Sequence, residues 1–321
     1  MGMPVKNINI NRVYMSIKNI SAHESLVKDL ATFGKTGLEV PLASCTSFKT
    51  GGKADILIEP YNEESIASII PVLRDEEVPF HIIGGGSNLL ISDKGLRGAV
   101  IKVSGVEAGI SYSGELIYAG AALSKEKFIR DVIDAGYSNV EFMAGIPGTI
   151  GGGIFMNAGT YMGSFSGILK RIKLIDYSGS IFEVEVNGDI SGYRHMNIPD
   201  NTVIAGGYFS LPLSGNPDET RKCVEAIISD RWDKHPMDFP SAGSVFKNPE
   251  GLSSWKLIND SGLKGCSIGG AMVSEKHTNF IINTGTATST DIYNLIKHIQ
   301  ETVHKATGIM LETEIKVMGQ F

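Results

Sequence analysis

Apolar residues recur at every second position in "ADILIEP" (54–60), and the run stops at Pro60. A period of two sends successive side chains to opposite faces, so this stretch is predicted as a strand. The next segment, "YNEESIASIIPVLRDEEVP" (61–79), shifts to helical spacing. Asn62 stands as its N-cap, Glu63 and Glu64 favour its first turn, and Pro71 is a point for a kink. Short apolar runs at "FHII" (80–83) and "AVIKV" (99–103) predict buried strands. In "SKEKFIRDVIDAG" (124–136), Phe128, Val132 and Ile133 keep helical spacing and Gly136 closes the helix. Lys127, three residues after Ser124, rules out a capping box there.

"RIKLIDYSGSIFEVEV" (171–186) reads as two strands joined at Ser178-Gly179. Helices are predicted at "DETRKCVEAIISDRW" (218–232), starting near Asp218, and at "STDIYNLIKHIQETVHKATG" (289–308), capped by Ser289 and ended by Gly308. "IMLETEIKV" (309–317) alternates as a final strand. Strand and helix signals succeed one another along the whole chain, which predicts an α+β architecture. At roughly 100–200 residues per domain, 321 residues imply two or three domains. The alternating "INRVYMSI" (10–17) within residues 1–22 reads as an extension without an assigned role.

Hydrophobic residues at 42% and charged residues at 20% supply enough apolar material for real cores, so disorder is not expected. A formal net charge of -6 argues against a nucleic-acid partner, whose phosphates attract basic surfaces. Cys45, Cys223 and Cys266 are odd in number and far apart, which fits neither a disulfide framework nor a CxxC metal site. The seven histidines show no metal-ligand spacing, so no metal is expected. No run approaches the roughly 18 apolar residues of a membrane span, and the N-terminus lacks a signal-peptide pattern. A reducing cytoplasmic setting follows as the expectation.

Three glycine turns carry the chemical signal. "HIIGGGSNLLISDKG" (81–95) places three glycines directly after a predicted strand. It is not a P-loop, because no Lys-Ser or Lys-Thr follows, and it is not the GxGxxG fingerprint. What remains is a strand ending in backbone amides without side-chain cover, a form that presents N–H groups to a diphosphate. "GIPGTIGGGIFMNAGTY" (145–161) and "FKTGGKADI" (48–56) repeat the device. Close packing explains one such turn; a large cofactor held by main chain explains three within one 110-residue stretch.

"TSFKTGGKAD", "IIGGGSNLLISDKGLRG" and "GIPGTIGGGIFMNAGTY" resemble the FAD-binding half of the UDP-N-acetylenolpyruvoylglucosamine reductase family, within the vanillyl-alcohol-oxidase-like superfamily. "YRHMNI", "SAGSVFKNP", "WKLINDSGLKGCSIGGAMVSEKHTNFIIN" and "LETEIKVMG" extend the resemblance over residues 40 to 319. "RWDKHPMDFPSAGS" runs directly into the catalytic motif, as in the shorter subclass that lacks an extra loop over the substrate. The resemblance implies a two-lobed FAD-binding domain plus a C-terminal α+β substrate-binding domain. The first lobe is expected at 23–88 with 308–321, the second at 89–216 and the substrate domain at 217–307. It implies non-covalent FAD, NADPH as hydride source, a UDP-sugar enolpyruvyl ether as substrate and a monomer. FAD contacts are implied at Thr50, Gly51, Gly52, Gly84, Gly85, Gly86, Ser87, Asn88, Leu90, Gly145, Ile146, Pro147, Gly148, Gly151, Gly152, Asn157 and Gly159.

The implied reaction needs a cation at the substrate carboxylate and a proton donor at the α-carbon. Arg194, beside Tyr193, offers a planar, permanently charged fork, although a lone arginine is more often an ion-pair residue. The family pattern makes it catalytic and makes Ser244 the proton donor; otherwise Ser244 is a turn hydroxyl. Lys247 is expected to assist Ser244 if its loop turns inward. Period two places Glu312 and Glu314 on one face of the final strand and does not choose between them. The family motif selects Glu314, with Thr313 standing where proline is usual. Uridine diphosphate candidates are Arg231, Lys234, Lys247, Asn248, Lys256, Lys276, His277 and Asn279, the last the best single choice; Tyr193 joins the substrate set.

Further departures are the absence of an acid in "NAGTYMGSFSG", Met196 in place of a small hydroxyl residue, and Gly153 in place of alanine. Two readings compete: another flavin oxidase or dehydrogenase, which keeps the glycine motifs, and a non-enzymatic nucleotide-binding or scaffold protein.

Overall fold

The computed structural model describes residues 20–103 and 108–321. The alternating stretch at 10–17 lies outside the described residues.

The first unit is a four-stranded sheet in the order Gly34–Pro41, Lys53–Pro60, Leu96–Lys102 and Phe80–Ile83. The first pair is antiparallel; Leu96–Lys102 runs parallel to both its neighbours. Helix Glu63–Asp75 starts where predicted, with the Asn62 side chain accepting from the Ser65 N–H, and Pro71 lies inside it. It buries Ile66, Ile69, Ile70 and Leu73 against Ile56 and Ile58 of the sheet. Leu57 packs on the opposite face with Ile83, Ile91 and Val100. Both faces of Lys53–Pro60 are thus covered, so its alternation does not mark one wet face. "FHII" is a strand, but only Ile83 is buried, because the strand forms the edge of its sheet.

The second unit is a five-stranded antiparallel sheet in the order Ile181–Glu185, Leu169–Asp176, Thr202–Ser210, Leu116–Gly120 and Ile110–Ser113. The predicted Ser178-Gly179 turn joins the first two strands, with Asp176 accepting from the N–H groups of Ser178 and Ser180. Helix Lys125–Asp134 buries Phe128, Ile129, Val132 and Ile133 in this core, as its spacing requires. Ile175, Val203 and Ala205 reach instead into the core of the first unit and join the two. Helix Pro217–Lys234, expected at the start of the third unit, packs Val224 and Ile227 into the second. Its cap is Asn216.

The third unit holds the three-stranded antiparallel sheet Ser267–Ile268, Ala271–Val273 and Ile281–Asn283. Helix Ser289–Thr307 covers it with Ile292, Leu295, Ile296, Ile299 and Val303. The predicted cap Ser289 is the first helical residue; Thr288 caps instead, because it forms a reciprocal capping box with Asp291. Phe48 and Leu90 from the first unit complete this core, together with Leu311 and Ile315. No helix among the described residues is long and apolar enough to cross a membrane.

The terminal segment differs from its prediction. Only Lys316–Met318 is a strand, paired parallel to Leu89–Ile91. Upstream, single bonds to several partners replace a continuous ladder: Lys247 N–H donates to Glu312 O, Thr313 bridges Phe246, and Glu314 N–H donates to Val245 O. The segment crosses from the third unit to the first, so no one neighbour sets its pleat.

Candidate active site

The three glycine turns converge. Ser47 N–H donates to Gly86 O at 3.1 Å, and Ser87 Oγ donates to Pro147 O at 3.2 Å. These bonds tie 46–52, 84–88 and 145–149 together. Gly86 has φ +65, and a Cβ there would lie 1.8 Å from Cys45 O, so only glycine serves. A Cβ at Gly85 would meet the Gly148 Cα at 3.1 Å, which shows how closely the second and third turns approach.

Two observations fit this region to an anionic cofactor. The backbone N–H groups of residues 85–88 donate to no described residue, and Gly85 is exposed. Thr50 is buried, and its Oγ1 has no hydrogen-bond partner among the described residues. A run of free amides beside a buried, unsatisfied hydroxyl is the donor set a diphosphate-bearing ligand would use.

The residues expected to handle charge and protons come from the second and third units. Tyr193 and Arg194 form the two-residue turn between Ser191–Gly192 and His195–Met196. Arg194 sits at φ +60, a left-handed conformation uncommon without glycine. Asn157 Nδ2 donates to Gly192 O at 2.9 Å and so anchors the base of this turn. Arg194 Nε lies 3.0 Å from Glu314 Oε1, with side chains 18% and 20% exposed, so solvent screens the pair only partly. The guanidinium also lies 5.0 Å from the Tyr193 ring centroid. Burial pushes the Glu314 carboxyl above the usual carboxylate range, and the Arg194 and Lys247 charges pull it part of the way back.

Glu314 is pinned through its own backbone. Its N–H donates to Val245 O at 2.8 Å, and its carbonyl accepts from Asn88 Nδ2 at 3.1 Å. Val245 follows Ser244, so one bond joins the serine loop to the acid. Ser244 is half-buried, bridges Phe280, and its hydroxyl bonds no described residue. The turn-hydroxyl role is therefore not realised there.

The C-terminal domain of UDP-N-acetylenolpyruvoylglucosamine reductase matches residues 235–318, and an FAD binding domain matches residues 54–185. A curated UDP-N-acetylenolpyruvoylglucosamine reductase from Caldanaerobacter subterraneus subsp. tengcongensis is 40% identical over 92% of this chain and 97% of its own length. The chain belongs to that reductase family. The Clostridioides difficile reductase is 37% identical over 98% of this chain and 100% of its own. The crystal structure of the Thermus caldophilus reductase superposes with a TM-score of 0.74 at 28% identity, covering 89% of this chain and 99% of that one.

Within this reductase fold, several residues expected to touch ligand do structural work. Asn279 is buried, with Nδ2 donating to Phe246 O at 2.8 Å and Oδ1 accepting from Phe246 N–H at 3.0 Å. Both ends of its amide hold the serine loop, leaving it unsuited to uridine. Asn157 holds the arginine turn and accepts from Ser166 N–H. Leu90 is wholly buried core. Gly151 donates its N–H to Ala121 O and is buried, and a Cβ at Gly159 would strike Gly163 O. Asn88 faces the terminal segment with its side chain, leaving its N–H for a ligand.

Gly51, Gly52, Gly84, Gly145, Ile146 and Gly148 are half-buried, while Pro147 and Gly152 are exposed beside the turns. Lys247 is not turned toward Ser244 but bonds Glu312, which is exposed. Asn248 accepts from Ser254 N–H, and Lys276 Nζ donates to Trp232 O at 2.6 Å. Lys234 pairs with Asp230, and Lys256 is exposed. His277 packs among His235, Phe280 and Trp255, and burial lowers its pKa to about 4.

Sequence reasoning missed Lys125. It stands at the first position of a helix, where a lysine ordinarily faces water, yet it is 4% exposed. Nothing in the local pattern marks it.

Proposed function

We propose that this chain reduces the enolpyruvyl ether of UDP-N-acetylglucosamine to UDP-N-acetylmuramate, a step in making peptidoglycan precursor. The observation that carries the reading is the Arg194–Glu314 pair at 3.0 Å, assembled from distant parts of a chain that belongs to this reductase family.

The chemistry FAD supplies when bound is transfer of a hydride from NADPH to the methylene carbon of the enol ether. The amides of 85–88 and the Thr50 hydroxyl orient the cofactor; Tyr193 lines the substrate side. The substrate carboxylate takes the place of Glu314 at the Arg194 guanidinium, which then holds the enediolate charge that develops next to the α-carbon. Losing its cation, the buried Glu314 carboxyl shifts further toward its neutral form and donates a hydrogen bond to the same charge. The Ser244 Oγ–H delivers the proton to the α-carbon. Its hydroxyl has no competing acceptor among the described residues, which leaves it available. Asn279 and Asn88 hold Ser244 and Glu314 in place from behind. The uridine diphosphate falls to the third unit, where exposed Asn248 and Lys256 remain candidates.

The purified protein is expected to be yellow, to release flavin on denaturation, and to turn over NADPH beyond one equivalent per flavin at full rate only when the enolpyruvyl sugar nucleotide is present. A colourless protein that cannot be reconstituted with FAD, or turnover of alcohols in preference to that substrate, rejects the proposal.

A further inference from the structure

Helix Lys125–Asp134 begins beside the third glycine turn: Lys125 N–H donates to Gly148 O at 3.0 Å. The Lys125 side chain runs inward along that turn, its Cε 3.8 Å from where a side chain at Gly148 would begin. The Ser87 hydroxyl lies 2.6 Å from the same point. On the other end of the turn, Arg231 Cδ lies 2.6 Å from where a side chain at Gly145 would begin.

Neither cation has a counter-ion among the described residues. Lys125 is 4% exposed, and its ammonium forms no hydrogen bond or ion pair with a described residue. Arg231 Nε is buried without a partner. The two charges also repel each other. Burial and the Arg231 charge together lower the Lys125 pKa to about 8, and burial lowers that of Arg231. A buried cation without a partner destabilises the ligand-free fold, and the charge of the half-buried Arg231 beside it adds to that cost. A bound dianion reverses the sign of that arrangement, because the same low dielectric strengthens its attraction to both.

We infer that the buried Lys125 and the half-buried Arg231 form a cation pair that receives a phosphate group of a bound nucleotide at the 145–148 turn. The adjoining Ser87 and Gly148 belong to the glycine segments, which makes the diphosphate of the flavin dinucleotide the expected source. This inference rests on the flavin reading above. It assigns side-chain charge to a region that main-chain amides alone had been expected to serve.

Lys125→Met keeps the length of the side chain and removes its charge. Three readouts on the full chain decide the matter: FAD affinity from flavin fluorescence, UDP affinity of the flavin-loaded protein from calorimetry, and Tm of the flavin-stripped protein. The expected result is an FAD Kd raised at least tenfold, a UDP Kd changed less than twofold, and a stripped-protein Tm above that of the equally stripped natural sequence. Lys125→Arg, which keeps the charge, is expected to hold the FAD Kd within threefold and serves if the methionine variant does not fold. A tenfold loss of UDP affinity with FAD unaffected supports the cation pair and assigns it to the uridine nucleotide. If neither affinity moves twofold in a folded Lys125→Met protein, or if Lys125→Arg loses FAD as completely as Lys125→Met, the inference is overturned. A natural sequence that never binds flavin rejects the flavin reading instead, and the UDP measurement then decides the cation pair by itself.

Discussion

Arg194 combines an unfavourable backbone with a charge that has few alternatives. Its left-handed φ of +60 costs a β-carbon-bearing residue about 1–2 kcal/mol, and Asn157 holds the turn from below. Glycine accepts that conformation freely. Arg194→Gly relieves that strain but takes the cation from the mostly buried Glu314, so the melting temperature is expected to change little while kcat/KM falls by about 10²–10³, the usual loss for one preorganised donor at developing charge. A thermal melt and a steady-state assay on the same preparation check both halves. At Lys125 the consequence is a pH dependence. Its folded pKa of about 8 lies below the ordinary 10.5, so between those values the unfolded chain binds the extra proton. Stability of the flavin-free protein should rise as pH climbs through that window, by at most about 3 kcal/mol from this residue. Arg231, the charged neighbour acting on it, is common to both proteins in a comparison with Lys125→Met, whose stability should lack this rise. Denaturant melts at pH 8 and 10 compare them.

Helix Ser289–Thr307 is fastened twice at its N-terminus. Thr288 and Asp291 cap it locally, while Asp93 of the first unit accepts from Ser289 N–H at 2.9 Å and Thr290 N–H at 2.8 Å. Thr290 Oγ1 donates to Asp93 as well. A carboxylate at a helix N-terminus meets unpaired amides and the positive end of the dipole. Asp93→Ala should lower unfolding free energy by about 2 kcal/mol, more than loss of an ordinary local cap, because it also unties two units. Denaturant unfolding with an unchanged m-value checks it. The caps show which elements a sequence discloses. Asn62 and Gly308 act where their types suggest, because each uses only neighbours within one turn. Asp93 gave no such signal, since its partners lie about two hundred positions along the chain. The terminal strand was overextended for the same reason: alternation in "IMLETEIKV" is local, but its partners belong to two units.

The three units share cores as well as surfaces. Phe48 is wholly buried in the third unit's core although its neighbours in sequence form a glycine turn of the first, and Asn283 Nδ2 donates to its carbonyl at 2.9 Å. Phe48→Ala should cost about 3–5 kcal/mol and lower the melting temperature of the whole protein in one transition; calorimetry would show a separate early transition if the third unit were independent. Motifs rich in glycine, with "GSVFKNP" and "LETE", made the family and its chemistry legible, because such turns tolerate few residue types. Roles within them were less legible. Asn157 and Asn279 look like ligand residues in a list of polar positions, yet three-dimensional neighbours engage their amides on backbone. Lys125 looks like solvent charge and is buried.

The most direct test separates the two half-reactions of Ser244→Ala by stopped flow. Reduction of the bound flavin by NADPH should proceed within a few-fold of the natural rate, because the role proposed for Ser244 concerns the sugar nucleotide alone. Reoxidation by the enolpyruvyl substrate should slow about 10²–10⁴-fold, the range lost with a positioned proton donor. Reoxidation at the natural rate would contradict the assignment of Ser244, and with it the site built around Arg194 and Glu314.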